Sequence, residues 1–283
     1  MRTQILLIAA AVILTAALLF SGFRLWQYFS AEQEIETQFI ELTRLIQTPM
    51  PSTMGTEQTP APSNSLEPGQ SPDPFSPTEP GRTPKPKPAW TAADQYERLF
   101  AQNPDMIGWI SIPGTTVNYP VMQSPDRPDF YLNHSFDKKP SKYGVPYAAE
   151  NCSIDPQSDN ITIYGHRMKS GKMFGVLGSY KDKSFYLKHP VIQFDTRAGF
   201  GRYEILAVFK VNPADFPYHL FVNAHNEMVF GAFVRQCKTL SFYDTGVTAK
   251  FGDKLITLST CENADQNSRL VVVAKKMGGE PGA

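Results

Sequence analysis

Twelve of the chain's 24 prolines fall between Pro49 and Pro88, in a Pro/Ser/Thr/Gly run that ends in Pro84-Lys85-Pro86-Lys87-Pro88. Proline removes backbone donors, and the run has little apolar surface to bury, so it cannot join a packed core. It splits the 283 residues into a short N-terminal unit and one domain-sized C-terminal unit, Trp90 to Met277. Residues 49–89 are expected to be a disordered or polyproline-like linker. At about 3.1 Å per extended residue, it would reach on the order of 120 Å. That reach suits a domain working away from its attachment point; an inert spacer is the alternative.

The N-terminal unit opens with an apolar run from Ile5 to Phe23, interrupted only by small or hydroxyl side chains. Its length is about the minimum for a bilayer-spanning helix. A cleaved signal peptide would have a shorter apolar region and a small-x-small cleavage site, and Leu18-Leu19-Phe20-Ser21-Gly22-Phe23 offers no clean one. Trp26 and Tyr28 follow where an interfacial aromatic belt would lie. The expectation is therefore a tail over 1–4, a retained single-pass anchor over 5–23, and the remainder outside the cell. Residues 24–48 are expected to form an amphipathic juxtamembrane helix, with Ile35, Phe39, Leu42, Leu45 and Ile46 on one stripe. That stripe would lean on the membrane or on a second copy.

Formal net charge is zero, so nothing in the composition points to nucleic acid. Three cysteines, Cys152, Cys237 and Cys261, are too few and too odd in number for a disulfide framework. No Cys-x-x-Cys or His-Glu-x-x-His spacing suggests a metal, and no cofactor is expected.

The C-terminal unit reads as mainly β. A helix over 92–101 is followed by strand-like runs at 107–112, 117–121, 144–148, 160–164, 191–195, 202–211, 254–260 and 269–274. Pro113-Gly114 and similar pairs punctuate them. A short helix is expected over 173–180. A longer one over 226–240 carries Phe230, Phe233 and Cys237 on one face. Many short strands with few helices imply an all-β barrel or sandwich with helical insertions, and residues 278–283 a disordered tail.

Chemistry concentrates in Thr257-Leu258-Ser259-Thr260-Cys261, a strand ending in a thiol, and in Arg269, which opens the next strand. The polar residues 262–268 between them read as a loop. A thiol facing a guanidinium is where a nucleophile and an anion stabiliser meet. Cysteine nucleophiles also need a base, usually histidine. His134, His189, His219 and His225 read as solvated or packed. His166 follows the strand Ile161-Thr162-Ile163-Tyr164 and Gly165, which puts an imidazole at the rim of a barrel. Cys237 reads as a buried structural thiol, and Cys152 has no basic neighbour to activate it.

Tyr164-Gly165-His166-Arg167-Met168, Thr257-Leu258-Ser259-Thr260-Cys261 and Arg269 together resemble the signature segments of the sortases, membrane-anchored cysteine transpeptidases of Gram-positive bacteria. The likeness runs from about Ala93 to Lys276 and takes in Trp109-Ile110, Gly114 to Val121 and Gln123. The helical start, the Leu-Ser-Thr-Cys form and the helix before the Cys strand are similar to the class B subgroup. Asp126-Arg127-Pro128 departs from the Asp-Asn that class B members often carry.

The resemblance implies an eight-stranded sortase-type barrel with an N-terminal helix and a helical insertion before the Cys strand. It implies Cys261 as nucleophile, His166 as acid/base and Arg269 as oxyanion or substrate stabiliser. Ser259, Thr260 and Asn118 would line the substrate groove, and Glu262 would help through its backbone N–H. The partners implied are surface proteins bearing a C-terminal sorting signal, and a peptidoglycan cross-bridge or pilin amine. A cysteine protease that only hydrolyses and a non-catalytic, surface-tethered binding barrel are the alternatives.

Overall fold

The computed structural model describes residues 2–47, 92–262 and 265–278. The expected linker over 49–89 lies outside the described residues, as does the tail beyond Gly278.

Strands β1 (Met106–Ser111), β2 (Asn118–Met122), β3 (Tyr147–Ala148), β4 (Asn160–Tyr164), β5 (Val191–Thr196), β6 (Arg202–Val211), β7 (Leu255–Glu262) and β8 (Asp265–Lys276) close into one barrel. Their order around it is β1-β2-β3-β4-β7-β8-β6-β5. Pairing is antiparallel except at β2–β3 and β4–β7, which run parallel. The expected mainly-β, eight-stranded barrel is what the chain forms.

The uninterrupted apolar run at the end of the chain is explained by burial on both faces of β8. Leu270, Val272 and Ala274 pack inside the barrel with Ile205, Ile256 and Leu258. Val271 and Val273 pack outside it, under helix α4 (Glu227–Leu240). Asn226 caps α4 by accepting from the Val229 N–H at 3.0 Å. The helix then buries Phe230, Phe233, Val234 and Cys237 against the barrel. Truncating either phenylalanine to Ala should cost about 3–5 kcal/mol.

Four differences from the sequence reading have local causes. β3 shrinks to two residues because Gly144, at φ 54°, turns the chain before a ladder can form. The expected 173–180 helix is a 3-10 helix over Phe174–Lys181, interrupted in propensity by Gly175 and Gly178. A further helix, α3 (Lys183–Lys188), starts where Asp182 accepts from the Ser184 N–H at 2.8 Å. The expected loop over 262–268 is mostly ladder, because Glu262 and Asp265 still pair across the β7–β8 hairpin.

Helix α1 spans Arg2–Gln47 without a break. The described large apolar side chains from Val12 to Phe29 are 52–72 % exposed. The stripe expected to lean on membrane or self instead meets the barrel. Phe39 and Leu42 are buried, and the Phe39 ring meets the Tyr119 ring edge-on at 4.8 Å. Lys172 Nζ lies 2.7 Å from Glu36 Oε2 and 3.6 Å from Glu32 Oε1, and Gln38 Nε2 donates to Asp137 Oδ1 at 3.1 Å. Helix α2 (Ala92–Gln102) stacks Tyr96 on Trp109 and donates the Tyr96 hydroxyl to Asp195 at 2.8 Å.

Candidate active site

Two ladders assemble the site. In the parallel β4–β7 pair, Tyr164 stands opposite Ser259, and the Gly165 N–H donates to the Ser259 carbonyl at 3.2 Å. Both strands run on past the same barrel end, so His166 and Cys261 each follow their register partner by two residues. In the antiparallel β7–β8 pair, Cys261 stands opposite Arg269. Backbone pairing therefore brings residues 166, 261 and 269 to one rim. The side chains of Cys261 and Glu262 lie outside the described residues.

Gly165 is small for a packing reason. A Cβ there would sit 2.7 Å from the Phe174 ring, which is fully buried beneath it. The His166 carbonyl also accepts from the Phe174 N–H at 3.0 Å. Phe174 thus braces the backbone on both sides of the histidine. The His166 ring is half-buried, and its Nε2 lies 2.7 Å from the Leu132 carbonyl oxygen.

A groove of about 410 Å³ opens here, with His166, Ser259, Thr260 and Arg269 in its wall and His219 beside them. Asp129 and Glu150 also place carboxylates in its lining. Arg269 is half-buried, and its Nη1 donates to the Ser268 carbonyl at 3.3 Å. Ser259 is buried, and its Oγ shares a 2.7 Å hydrogen bond with the Tyr218 hydroxyl. Thr260 is 2 % exposed, and its hydroxyl has no hydrogen-bond partner among the described residues. Leaving such a group unpaired costs about 1–3 kcal/mol. Burial, with smaller contributions from Tyr218, Cys152 and the two carboxylates, pushes the Tyr164 phenol well above its ordinary range. Tyr164 is therefore a neutral wall of the groove.

Asn118 is not among the residues lining this groove. It lines the cleft between α1 and the barrel, beside Phe39, Tyr119 and Met168. There its Oδ1 accepts from the Trp109 indole N–H at 2.8 Å. The first residue of β2, it pairs with Ser111 of β1 rather than with either strand that carries the rim.

The other thiols are disarmed. Burial raises the Cys152 thiol, and a carboxylate at Glu150 adds to the rise, against an opposing contribution from the Thr162 backbone. Burial raises Cys237 further still. A thiol held protonated is a poor nucleophile.

Sequence reasoning missed Tyr218, His219 and the Leu132 carbonyl. Tyr218 and His219 lie in a 3-10 turn, Tyr218–Leu220, which has no periodic signature. A backbone carbonyl leaves no mark in side-chain identity at all.

An imidazole and a guanidinium lining one groove, at the rim where the backbone of a cysteine-bearing strand runs, is an arrangement suited to acyl transfer through a thiol. Comparison with known proteins agrees. A sortase domain model matches residues 110–277. Sortase B of Staphylococcus aureus (strain NCTC 8325 / PS 47) is 33 % identical over 183 residues, covering 64 % of this chain and 74 % of that protein. The structure of a Staphylococcus aureus sortase B-substrate complex superposes with a TM-score of 0.61 at 32 % identity, over 65 % of this chain and 84 % of that one. A sortase B structure complexed with triglycine gives 0.60 at 31 % identity, over 65 % and 85 %. With the barrel closed as expected and more than half its length matched, the chain belongs to the sortase family and is class B-like.

Proposed function

We propose that this sortase cleaves a C-terminal sorting motif of surface proteins after Thr and transfers the new acyl end to an amine. The observation that carries the reading is the pair of registers that sets Cys261 opposite Arg269 and at the same rim as His166. In this reading the Cys261 thiolate attacks the Thr carbonyl, and the oxyanion forms beside the Arg269 guanidinium and the Glu262 N–H. Collapse breaks the peptide bond and leaves a thioester on Cys261, while His166 gives its proton to the departing amine. An incoming amine attacks the thioester, His166 takes up its proton, and the Cys261 thiolate is released as the new amide forms, which restores the starting pair. Arg269 stays charged throughout and moves no proton.

Ser259 and Thr260 are the proposed groove contacts. The unpartnered, buried Thr260 hydroxyl supplies a hydrogen bond that a substrate backbone can complete. The acceptor is a peptidoglycan cross-bridge or pilin amine; the triglycine complex of a related sortase B supports an oligoglycine-like end. Residues 5–23 of α1 are the proposed single-pass membrane anchor, with residues 90–277 as an extracellular catalytic domain. The exposed apolar side chains of its first half support that placement.

The test is incubation of the full chain in detergent with a sorting peptide, with and without triglycine. The expected product with triglycine is the ligated peptide. Hydrolysis alone at saturating amine, whichever amine is tried, would make the enzyme a protease instead.

A further inference from the structure

We propose that the backbone carbonyl of Leu132, kept in place by the bare backbone of Gly144, positions His166 and fixes which ring nitrogen carries its proton. The inference rests on the reading of His166 as the proton carrier.

A shuttling imidazole needs a partner on its second nitrogen to hold its tilt and tautomer, and a carboxylate commonly fills that place. Among the described residues no carboxylate bonds His166. Its Nε2 meets the Leu132 carbonyl at 2.7 Å. A carbonyl oxygen only accepts, so this contact requires the hydrogen on Nε2. The neutral ring then keeps its lone pair on Nδ1, and Nδ1 becomes the nitrogen that takes and returns the travelling proton. A neutral carbonyl orients the ring without adding a full negative charge to a site where an oxyanion must form.

The carbonyl itself is tightly held. It ends the 3-10 turn Phe130–Leu132, where the Leu132 N–H donates to Asp129 at 2.9 Å and the Asn133 N–H to Phe130 at 3.3 Å. The turn is pinned from within by Tyr131, which is buried, donates its hydroxyl to Asp105 at 2.8 Å and accepts from Asn103 at 3.0 Å. From outside it is pinned by the Val145 N–H, which donates to the Tyr131 carbonyl at 3.0 Å.

Gly144, at φ 54°, lies directly against this turn. A Cβ at 144 would fall well inside van der Waals contact of both the Tyr131 and Leu132 carbonyl oxygens. Any side chain there must push away the group that His166 donates to. Gly144 is thus a positioning residue that acts through the Leu132 carbonyl.

The experiment labels the five histidines of the full chain in detergent with ¹⁵N and reads ring tautomers from two-bond ¹⁵N–¹H correlations. The His166 signal is assigned by its loss in His166→Gln. At a pH where the ring is neutral, His166 is expected as the Nε2–H tautomer. Replacing Asn133 by its α-hydroxy acid turns the 132–133 peptide into an ester and weakens the Leu132 carbonyl as an acceptor. The ester should mix the tautomers and lower the transfer kcat about three- to tenfold, leaving KM within about twofold. Gly144→Ala should do the same more strongly. Gly246→Ala is the control, because Gly246 also has positive φ (77°) but has open space around it; it should leave the His166 signal unchanged.

An Nδ1–H tautomer in the unmodified chain, or an unshifted His166 signal in the ester, would overturn the proposal. Should Gly144→Ala not fold, the unmodified chain and the ester still decide. Should the unmodified chain transfer no peptide, the proposed function fails, while the tautomer spectrum still judges the positioning.

Discussion

Tyr164 and Ser259 are partners in the parallel ladder of β4 and β7, and that one pairing places a histidine and a cysteine, remote in sequence, on the same barrel rim. A slip of the ladder by two residues would separate them by roughly 7 Å. The buried pair Asn160 and Thr257 guards against the slip, with the Thr257 hydroxyl donating to Asn160 Oδ1 at 2.8 Å.

The first expectation concerns the thiols. Cys261→Ala and His166→Ala should each abolish thioester formation, read by intact-mass spectrometry after mixing with sorting peptide. Cys152→Ala should keep transfer within about twofold, since its buried, protonated thiol is a poor nucleophile. Loss of activity in that variant would reassign the nucleophile.

Arg269→Lys should lower kcat by roughly 10²–10³, the loss seen when one oxyanion donor is removed. A point charge on a flexible stem does not reproduce a planar fork. Thermal unfolding should move little, because the half-buried side chain is no part of either apolar core.

Tyr218→Phe strands the buried Ser259 hydroxyl, so stability should fall by about 1–3 kcal/mol in denaturant titration. Ser259→Ala in the same chain should recover part of that loss. Additive effects in the double variant would show that the 2.7 Å contact carries no coupling.

Gly165→Ala should push Phe174 or the His166 backbone aside, and transfer should drop at least about tenfold with the barrel still folded by circular dichroism. Phe174→Leu in the same chain relieves the contact and should restore part of the rate. A fully active Gly165→Ala would show that the histidine loop tolerates displacement.

Acid stability should depend on Asp159. Burial raises its carboxyl, but the Lys254 ammonium at 2.8 Å and the Ala224 N–H outweigh it, leaving the folded-state value below the ordinary one. The stabilisation is then full above the unfolded value of about 3.9 and is lost as pH falls through the lower folded value. Lys254→Met should flatten that acid limb in urea titrations between roughly pH 2 and 5. An unchanged limb would place the dependence on another carboxylate.

The sequence was most legible where burial is two-sided or a cap is present. The span of β6 matches its apolar run, and the start of α4 is set by Asn226. Helix α3 and the turn 130–132 were illegible because single turns carry no period. At the rim, His166 and Arg269 line one groove. Asn118 lines a different cleft, and nothing in its sequence neighbours showed that the Trp109 indole N–H would donate to its side-chain carbonyl. Tyr218 reaches Ser259 across 41 residues of chain, a contact that only the closed barrel creates.

Helix α1 has a mechanical consequence. Phe39 and Leu42 fasten it to the barrel only about sixteen residues beyond Phe23, where the proposed anchor ends. At 1.5 Å per residue, that interval is roughly 24 Å. With α1 as the proposed anchor, the catalytic groove rides on a stiff post at a set height and heading. Substrates then have to be delivered to that elevation, close above the lipid headgroups, and changing the post's length by a single residue would turn the groove by about 100° about the helix axis.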